Sequence, residues 1–350
     1  MTISLIASSR VSPKIFEQAG LCGSDSSALR LCYALVGRHR TQVFTSTNDE
    51  GVVRSVSFYP LSRFDPSSYV DVLIFFRIVP PAMLERSNAR ITIWWITDVP
   101  DSTMSPVDLS RIDRVIAISQ FQRRIFLAFH PSFDPTRVIV IEHGVDMTEY
   151  LSDSDDSAKP LKVENRLIYC SSPARGLTHL VDILPRIQRE LPSTELLITF
   201  DYTLRGRRPE IDFFRRCFES LANVRYLGKL SREELVAAQK SSMIMVYPAT
   251  YAEGFCLSAL ECMAAGAVPV TSSYGALDTT LGEGGIPVSG IPGSHVFAER
   301  FSNTIVELLR DDVQWSALSE QARRRASTLS WDQISDKFDN LFNEIIVTNS

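Results

Sequence analysis

The feature that most constrains the fold of this chain is an alternation that occurs twice. Short β-rich runs, ISLIAS, QVFTS, VLIFF, ITIWWIT, RVIAIS and VIVIEHG, are separated by amphipathic helical patterns such as SALRLCYALVGR, and the series reaches about residue 145. It restarts with RLIYCSS, ELLITF, NVRYLG, MIMVYPA and VPVTSS, spaced by helices across HLVDILPRIQREL, IDFFRRCFESL and REELVAAQK. Strands alternating with helical patterns imply parallel sheets with crossover helices, so the expectation is α/β, with two Rossmann-like domains facing an interdomain cleft. The expected boundaries are 1–145, 146–327 and a terminal segment 328–350. The polar, acidic stretch LSDSDDSAK at 151–159 has no periodicity and reads as a linker. In the terminal segment Ile334, Phe338, Leu341, Phe342 and Ile345 form a helical stripe, which is expected to cross back and cover the first domain.

The balance of 36 basic and 41 acidic residues, net −5, argues against a general nucleic-acid binder. Six cysteines without a CxxC pair read as reduced core thiols of a cytoplasmic protein. The most apolar stretch, VDVLIFFRIVPPAML, is broken by Arg77 and two prolines, so no membrane-spanning segment is expected. Outside the linker-like stretch LSDSDDSAK no Asp-x-Asp occurs, and no histidine cluster with ligand spacing is present, so no metal is expected. In FQRRIFLAF, Phe121, Ile125 and Phe129 at i, i+4 and i+8 read as the core face of a crossover helix. A peripheral membrane contact is the less favoured reading.

Ligands of open α/β sheets lie beyond the carboxyl ends of the strands, which directs attention to AEGFCLSALECMAAGAVPV. Glu253 follows the strand MIMVYPA and is expected to face the cleft. A helix starting near Phe255 would offer the free amides of Gly254, Phe255 and Cys256, and would carry Glu261 on the edge of its packed face. At RLIYCSSPARGLTHL, Ser172 is the expected N-cap, with Pro173 at the first helical position and Arg175 in the first turn. Arginine there opposes the helix dipole unless an anion is present. Either a bound pyrophosphate or simple solvation resolves the conflict.

Taken in order, CGSDSSALRLCYALVGRHRTQVFTS, IDRVIAISQFQRRIF with VIVIEHGVD, SSPARGL, NVRYLGKLSREELVAAQKSSMIMVYPATYAEGFCLSALECMAAGAVPV and SWDQISDKF resemble motifs of the family 4 glycosyltransferases of the GT-B fold. The resemblance runs from about residue 20 to the end of the chain. It implies transfer of a sugar from a nucleoside-diphosphate sugar to an acceptor hydroxyl with retention of configuration, without a cofactor. The acceptor class is carbohydrate, lipid-linked or protein-linked glycan.

Residue by residue, the resemblance implies that Glu261 holds ribose hydroxyls and Glu253 contacts the donor sugar. Ser172, Arg175, Lys229, Gly254, Phe255 and Cys256 complete the donor side, Gly23, Ser24 and Thr97 the acceptor-side loop, and Asp98 joins Glu253 as catalytic. Three departures stand out. Cys170-Ser171-Ser172 occupies the region where relatives commonly have an additional arginine, leaving Arg175 to act with Lys229 as partner. Thr97-Asp98 stands where His-Asp is frequent, and Glu142-His143-Gly144 where Asn-Gly is usual. His143, beside a hinge glycine, reads as structural. A sugar-nucleotide-binding protein that has lost turnover, and a nucleotide-sugar epimerase on the same fold, are the alternative functions.

Overall fold

The computed structural model describes residues 1–9, 11–14, 23–48, 50–99, 107–151, 162–199 and 209–348. The linker expected at 151–159 lies outside the described residues beyond Leu151, as does Cys22 of the first motif. The chain divides into one unit of Met1–Gly144 with Trp331–Ser350 and a second of Val145–Ser330.

In the first unit the strands are β1 (Thr2–Ala7), β2 (Arg40–Thr45), β3 (Gly51–Val53), β4 (Val56–Pro60), β5 (Val70–Phe76), β6 (Ala89–Trp95), β7 (Arg114–Ala117) and β8 (Val138–Val140). The helices are α1 (Gly23–Leu35), α2 (Pro81–Glu85) and α3 (Gln120–Phe129). The sheet order is β3-β4-β2-β1-β5-β6-β7-β8, parallel throughout except for the β3–β4 hairpin. β5 and β6 end in buried runs, VLIFF and ITIWW, as expected of central parallel strands covered on both faces. The hairpin was not legible in the sequence. Its two-residue turn is Arg54-Ser55, both with positive φ (47° and 64°), where the usual signal would be Asn-Gly or Asp-Gly.

In the second unit the strands are β9 (Arg166–Tyr169), β10 (Glu195–Ile198), β11 (Val224–Tyr226), β12 (Ile244–Tyr247), β13 (Val268–Ser272) and β14 (Ile286–Val288). They form an all-parallel sheet in the order β11-β10-β9-β12-β13-β14. Its helices are α4 (Leu180–Glu190), α5 (Pro209–Phe218), α6 (Arg232–Ser241), α7 (Leu257–Ala264), α8 (Leu277–Leu281), α9 (His295–Arg310) and α10 (Asp312–Ser327). Met243, just before β12, and Met245 within it are buried packing residues.

The terminal helix α11 (Trp331–Thr348) belongs to the first unit and packs on α1 and β6. All five residues of its stripe are at most 4% exposed, and Phe338 meets Trp95 edge-on at 5.3 Å. At roughly 1.5–3 kcal/mol for each fully buried large apolar side chain, the stripe contributes on the order of 10 kcal/mol before the entropy of ordering the helix. Its polar flank adds Arg38–Asp336 at 2.5 Å and His39–Asp339 at 2.7 Å.

The core face assigned to α3 is corrected by the structure. Gln122 and Phe126 are the buried positions, whereas Phe129 is 49% exposed. The stripe is displaced because Gln122 joins two segments from inside the core. Its amide oxygen accepts from the backbone of Ile118 (2.7 Å), and its amide nitrogen donates to the carbonyl of Asp98 (2.8 Å). A fully satisfied polar side chain can take a core position that apolar periodicity would assign to a neighbour.

Candidate functional site

In a doubly wound sheet the crevice opens where successive connections leave in opposite directions. In the second unit that point lies between β9 and β12, which are neighbours in the sheet but separated by two strands in sequence. The segments leaving their carboxyl ends are Cys170–Gly176 and Pro248–Cys256, the two that carry Arg175 and Glu253.

Arg175 closes a single 3-10 turn, Pro173–Arg175, rather than lying in the first turn of a longer helix, and the Ser172 side chain does not cap it. Ser172 acts through its carbonyl instead, accepting from the Arg175 amide (2.9 Å) and the Tyr169 hydroxyl (2.7 Å). Gly176 follows at φ +129°, packed so closely on Pro248 and Ala249 that a side chain would collide with their backbone. The two loops are further joined by a hydrogen bond from the Thr250 amide to the Arg175 carbonyl (3.1 Å).

The anion demanded by Arg175 is present within the protein: its Nη1 donates to Glu253 at 2.8 Å. The guanidinium also lies over the Tyr251 ring, 4.2 Å from its centroid. Glu253 is 4% exposed and accepts in addition from the Tyr247 hydroxyl. Expected to face the cleft, Glu253 is buried against two donors. Burial pushes its carboxyl above the usual range, against the pull of Arg175 and Tyr247. For Arg175 burial works to lower the pKa, but Glu253 and the two tyrosines outweigh it and hold the guanidinium more firmly charged than usual. Behind Glu253, Gly275 (φ +71°) lies in a parallel bridge with it, and the Ala276 amide donates to the Glu253 carbonyl at 2.7 Å.

The helix expected near Phe255 begins at Leu257, with Cys256 at its cap. Gly254, Phe255 and Cys256 therefore form a buried loop before the helix and are not its first turn. Lys229, expected beside Arg175, lies exposed in the segment between β11 and α6, and the ion partner of Arg175 is Glu253.

Glu261, in the last turn of α7, meets Arg232 at 2.7 Å. Arg232 also holds Glu149 at 2.6 Å and donates to the Tyr150 hydroxyl at 3.0 Å, while Gln239 points at the other Glu261 oxygen from 3.5 Å. Sequence reasoning missed Arg232, although the signal was available. Ser231 and Glu234 form a capping box that starts α6 and sets Arg232 at the first helical position, the same dipole conflict that singled out Arg175.

In the first unit the switch point lies between β1 and β5. Asp98, after β6, has a side chain 58% exposed and accepts from Arg77 Nε at 2.7 Å. Arg77 follows β5 at φ +67°, a strained position for a non-glycine residue, pinned by its amide to the Trp95 carbonyl (2.9 Å) and its carbonyl to Trp94 Nε1 (3.0 Å). Its Nη1 lies 3.8 Å from Asp25, which accepts from Ser9 Oγ at 2.6 Å. Gly23 and Ser24 open α1 just before Asp25. Thr97 is 8% exposed, and its hydroxyl is buried without a hydrogen-bond partner. His143 is buried beside Trp95, and burial pulls its pKa down to about 3, so the ring is neutral at ordinary pH. Among the described residues no helix is long and apolar enough to cross a membrane.

Residues 171–325 match the family described as Glycosyl transferases group 1. Curated relatives include the D-inositol 3-phosphate glycosyltransferase of Corynebacterium glutamicum (strain R), 24% identical over 67% of this chain and 58% of that protein. The enzyme of the same name from Salinispora arenicola is 28% identical over 57% of this chain and 48% of its own. The chain thus spans about half the length of the curated relatives it matches. Among solved structures, sucrose-phosphate synthase from Thermosynechococcus elongatus superposes with a TM-score of 0.72 at 17% identity, covering 99% of this chain and 100% of that one. Anabaena HepE in complex with UDP-glucose gives 0.70 at 16%, over 98% and 99%. The fold is GT-B, in agreement with the resemblance drawn from the sequence.

Proposed function

We propose, for a chain whose residues 171–325 match the group 1 glycosyl transferases and whose fold is GT-B, that it moves a sugar from a nucleoside-diphosphate sugar to an acceptor hydroxyl with retention of configuration. The observation that carries this reading is the convergence of Arg175, Glu253 and Tyr247 at the β9/β12 switch point, with Glu261 and Arg232 on the adjoining helices. A pair of solved neighbours in complex with UDP and glucose, and with UDP-glucose, supports a donor of that class.

In this reading the diphosphate lies against Arg175. One guanidinium nitrogen serves Glu253, and the side chain, 30% exposed, has further N–H donors for phosphate oxygens. As the bond to the anomeric carbon breaks, negative charge builds on the leaving phosphate, and a guanidinium already fixed in place stabilises it without reorganisation. Glu253, buried beside the donor sugar, accepts from its hydroxyls and stabilises positive character at the anomeric carbon. Glu261 takes the ribose hydroxyls: Glu261 and Glu149 share the single charge of Arg232, so the cluster keeps a net negative charge suited to hydroxyl donors. The acceptor is taken by the first unit, and its hydroxyl proton goes to the leaving phosphate or to Asp98.

The test is a thermal-shift screen against UDP-, GDP-, ADP- and dTDP-sugars, followed by transfer assays on the hit. A true donor at a hundred times its Kd stabilises by about 2.7 kcal/mol. Absence of stabilisation by all four classes would overturn the reading. Turnover is expected to survive EDTA, and strict dependence on added magnesium or manganese would remove the metal-independent mechanism.

A further inference from the structure

Cys170 and Cys262 are 92 residues apart in sequence, yet their sulfur atoms lie 3.4 Å apart. Cys170 is the first residue after β9 and opens the turn that ends in Arg175. Cys262 follows Glu261 on α7 and is fully enclosed. The thiol contact therefore lies between the two segments that carry Arg175 and Glu261. Both thiols are free in this structure, and the two differ in access: Cys170 is half-buried, Cys262 buried.

We propose that Cys170 and Cys262 form a modification site for peroxide-class oxidants, closing a reversible disulfide that controls the geometry around Arg175 and Glu261. The accessible Cys170 reacts first. Its sulfur attacks one peroxide oxygen, the O–O bond breaks, and the departing hydroxide takes a proton to leave as water, giving a sulfenic acid. The Cys262 sulfur then attacks the Cys170 sulfur, the S–O bond breaks, and the oxygen leaves with the Cys262 proton as a second water. Two thiols have lost two electrons and hydrogen peroxide has gained them. Burial pushes the Cys262 thiol well up, so its proton has to pass to the departing oxygen as its sulfur attacks, which makes the second step the slower of the two.

The consequence follows from distance. A disulfide needs its sulfurs about 2.05 Å apart, so closure from 3.4 Å brings the two sulfurs together by more than an ångström, and whatever part side-chain rotation does not absorb is passed to the Cys170 turn and α7. Arg175 and Glu261 are each held by a single short ion-pair contact, 2.8 and 2.7 Å, and a shift of that size is enough to break such contacts. The bond would also close a long loop through the second unit, so the oxidised protein should resist unfolding more strongly than the reduced one.

The test treats the full chain with hydrogen peroxide and maps it by mass spectrometry of a non-reducing digest, with UDP binding followed by calorimetry before oxidation, after it, and after dithiothreitol. The expected result is a Cys170–Cys262 linked peptide, UDP affinity lower by about tenfold in the oxidised form, and recovery of both on reduction. Cys170→Ala and Cys262→Ala should each bind UDP as the wild type does and should not respond to peroxide. The half-buried Cys170→Ala keeps the comparison valid if the buried substitution impairs folding. Absence of the linked peptide, or over-oxidation of Cys170 without a link, overturns the modification site. A linked peptide with unchanged UDP affinity overturns its control of the site. If the reduced wild type does not bind UDP, the calorimetry is repeated with GDP, ADP and dTDP; if none binds, the donor reading is what fails, and the linked peptide with the unfolding shift still decides this inference.

Discussion

Replacing Gly275 with alanine places a methyl group in space the Glu253 loop now fills. The new Cβ would lie 2.7 Å from the carbonyl carbon of Ala252 and closer still to the backbone nitrogen and oxygen of Glu253. Those atoms belong to backbone, so relief requires the loop to move. Two costs add. Holding an L-residue in the left-handed region costs roughly 1–2 kcal/mol, and forcing a methyl into a packed contact costs typically 1–3 kcal/mol, for a total of about 2–5 kcal/mol. The unit should still fold. The relief displaces Glu253 from Arg175 and Tyr247, and a misplacement of about 1 Å at a reacting centre can lower turnover about a hundredfold. Gly282→Ala gives a comparison in the same unit for a positive-φ glycine without close backbone contacts, at its own ψ of −129°. Its φ is also positive (+53°), but the nearest atoms to its Cβ are 3.5 and 3.6 Å away on Arg325, so only the conformational cost applies. Urea unfolding and transfer from the donor found by screening would be measured on both variants. The reasoning fails if Gly275→Ala loses less than about 2 kcal/mol of stability, or if it loses stability as expected yet keeps wild-type turnover.

Further outcomes are expected. Glu261→Ala should weaken nucleoside-diphosphate binding by about 1.5–3 kcal/mol, the range for hydrogen bonds to a charged group, whereas Arg175→Ala should weaken binding of diphosphates but not of nucleosides; calorimetry with both ligand types separates the two roles. Asp98→Asn should lower transfer about a hundredfold, the scale of a positioned proton acceptor, with donor affinity unchanged, and an equal fall in donor affinity would assign Asp98 to structure. His143, held at a pKa of about 3 by burial against an ordinary 6.5, takes its proton in the unfolded chain first. Its contribution is therefore intact above pH 6.5 and lost as pH falls toward 3, by up to about 1.4 kcal/mol per unit. The stability advantage of wild type over His143→Asn should shrink across that window, and parallel urea profiles at pH 7 and pH 4.5 would exclude this account.

The sequence by itself determined the two parallel sheets and the terminal helix, because both are written in local periodicity. A run such as VLIFF is apolar on both faces only if both faces are covered, and the spacing of Ile334, Phe338, Leu341, Phe342 and Ile345 requires one side of a helix to be buried. It also drew attention to Arg175 and Glu253, since a charge at a helix start or beside a strand end needs an explanation that a surface charge does not, and to Glu261 through its place on the edge of a packed helix face. What only the tertiary structure decided is which charge answers which. Arg175 finds Glu253 across 78 residues, Arg232 finds Glu261 across 29 and Glu149 across 83, and Arg77 reaches Asp98 across 21. No periodicity encodes such pairs. They depend on β9 and β12 becoming neighbours although two strands separate them in sequence, and on backbone positions such as Gly176 and Arg77, whose φ is fixed by contacts made elsewhere. The same holds for Gln122, which took a core position because its partners, Ile118 and Asp98, converge only in the folded sheet. Propensity and hydrophobic pattern are properties of a segment, whereas the pairing of buried polar groups is a property of the packed whole.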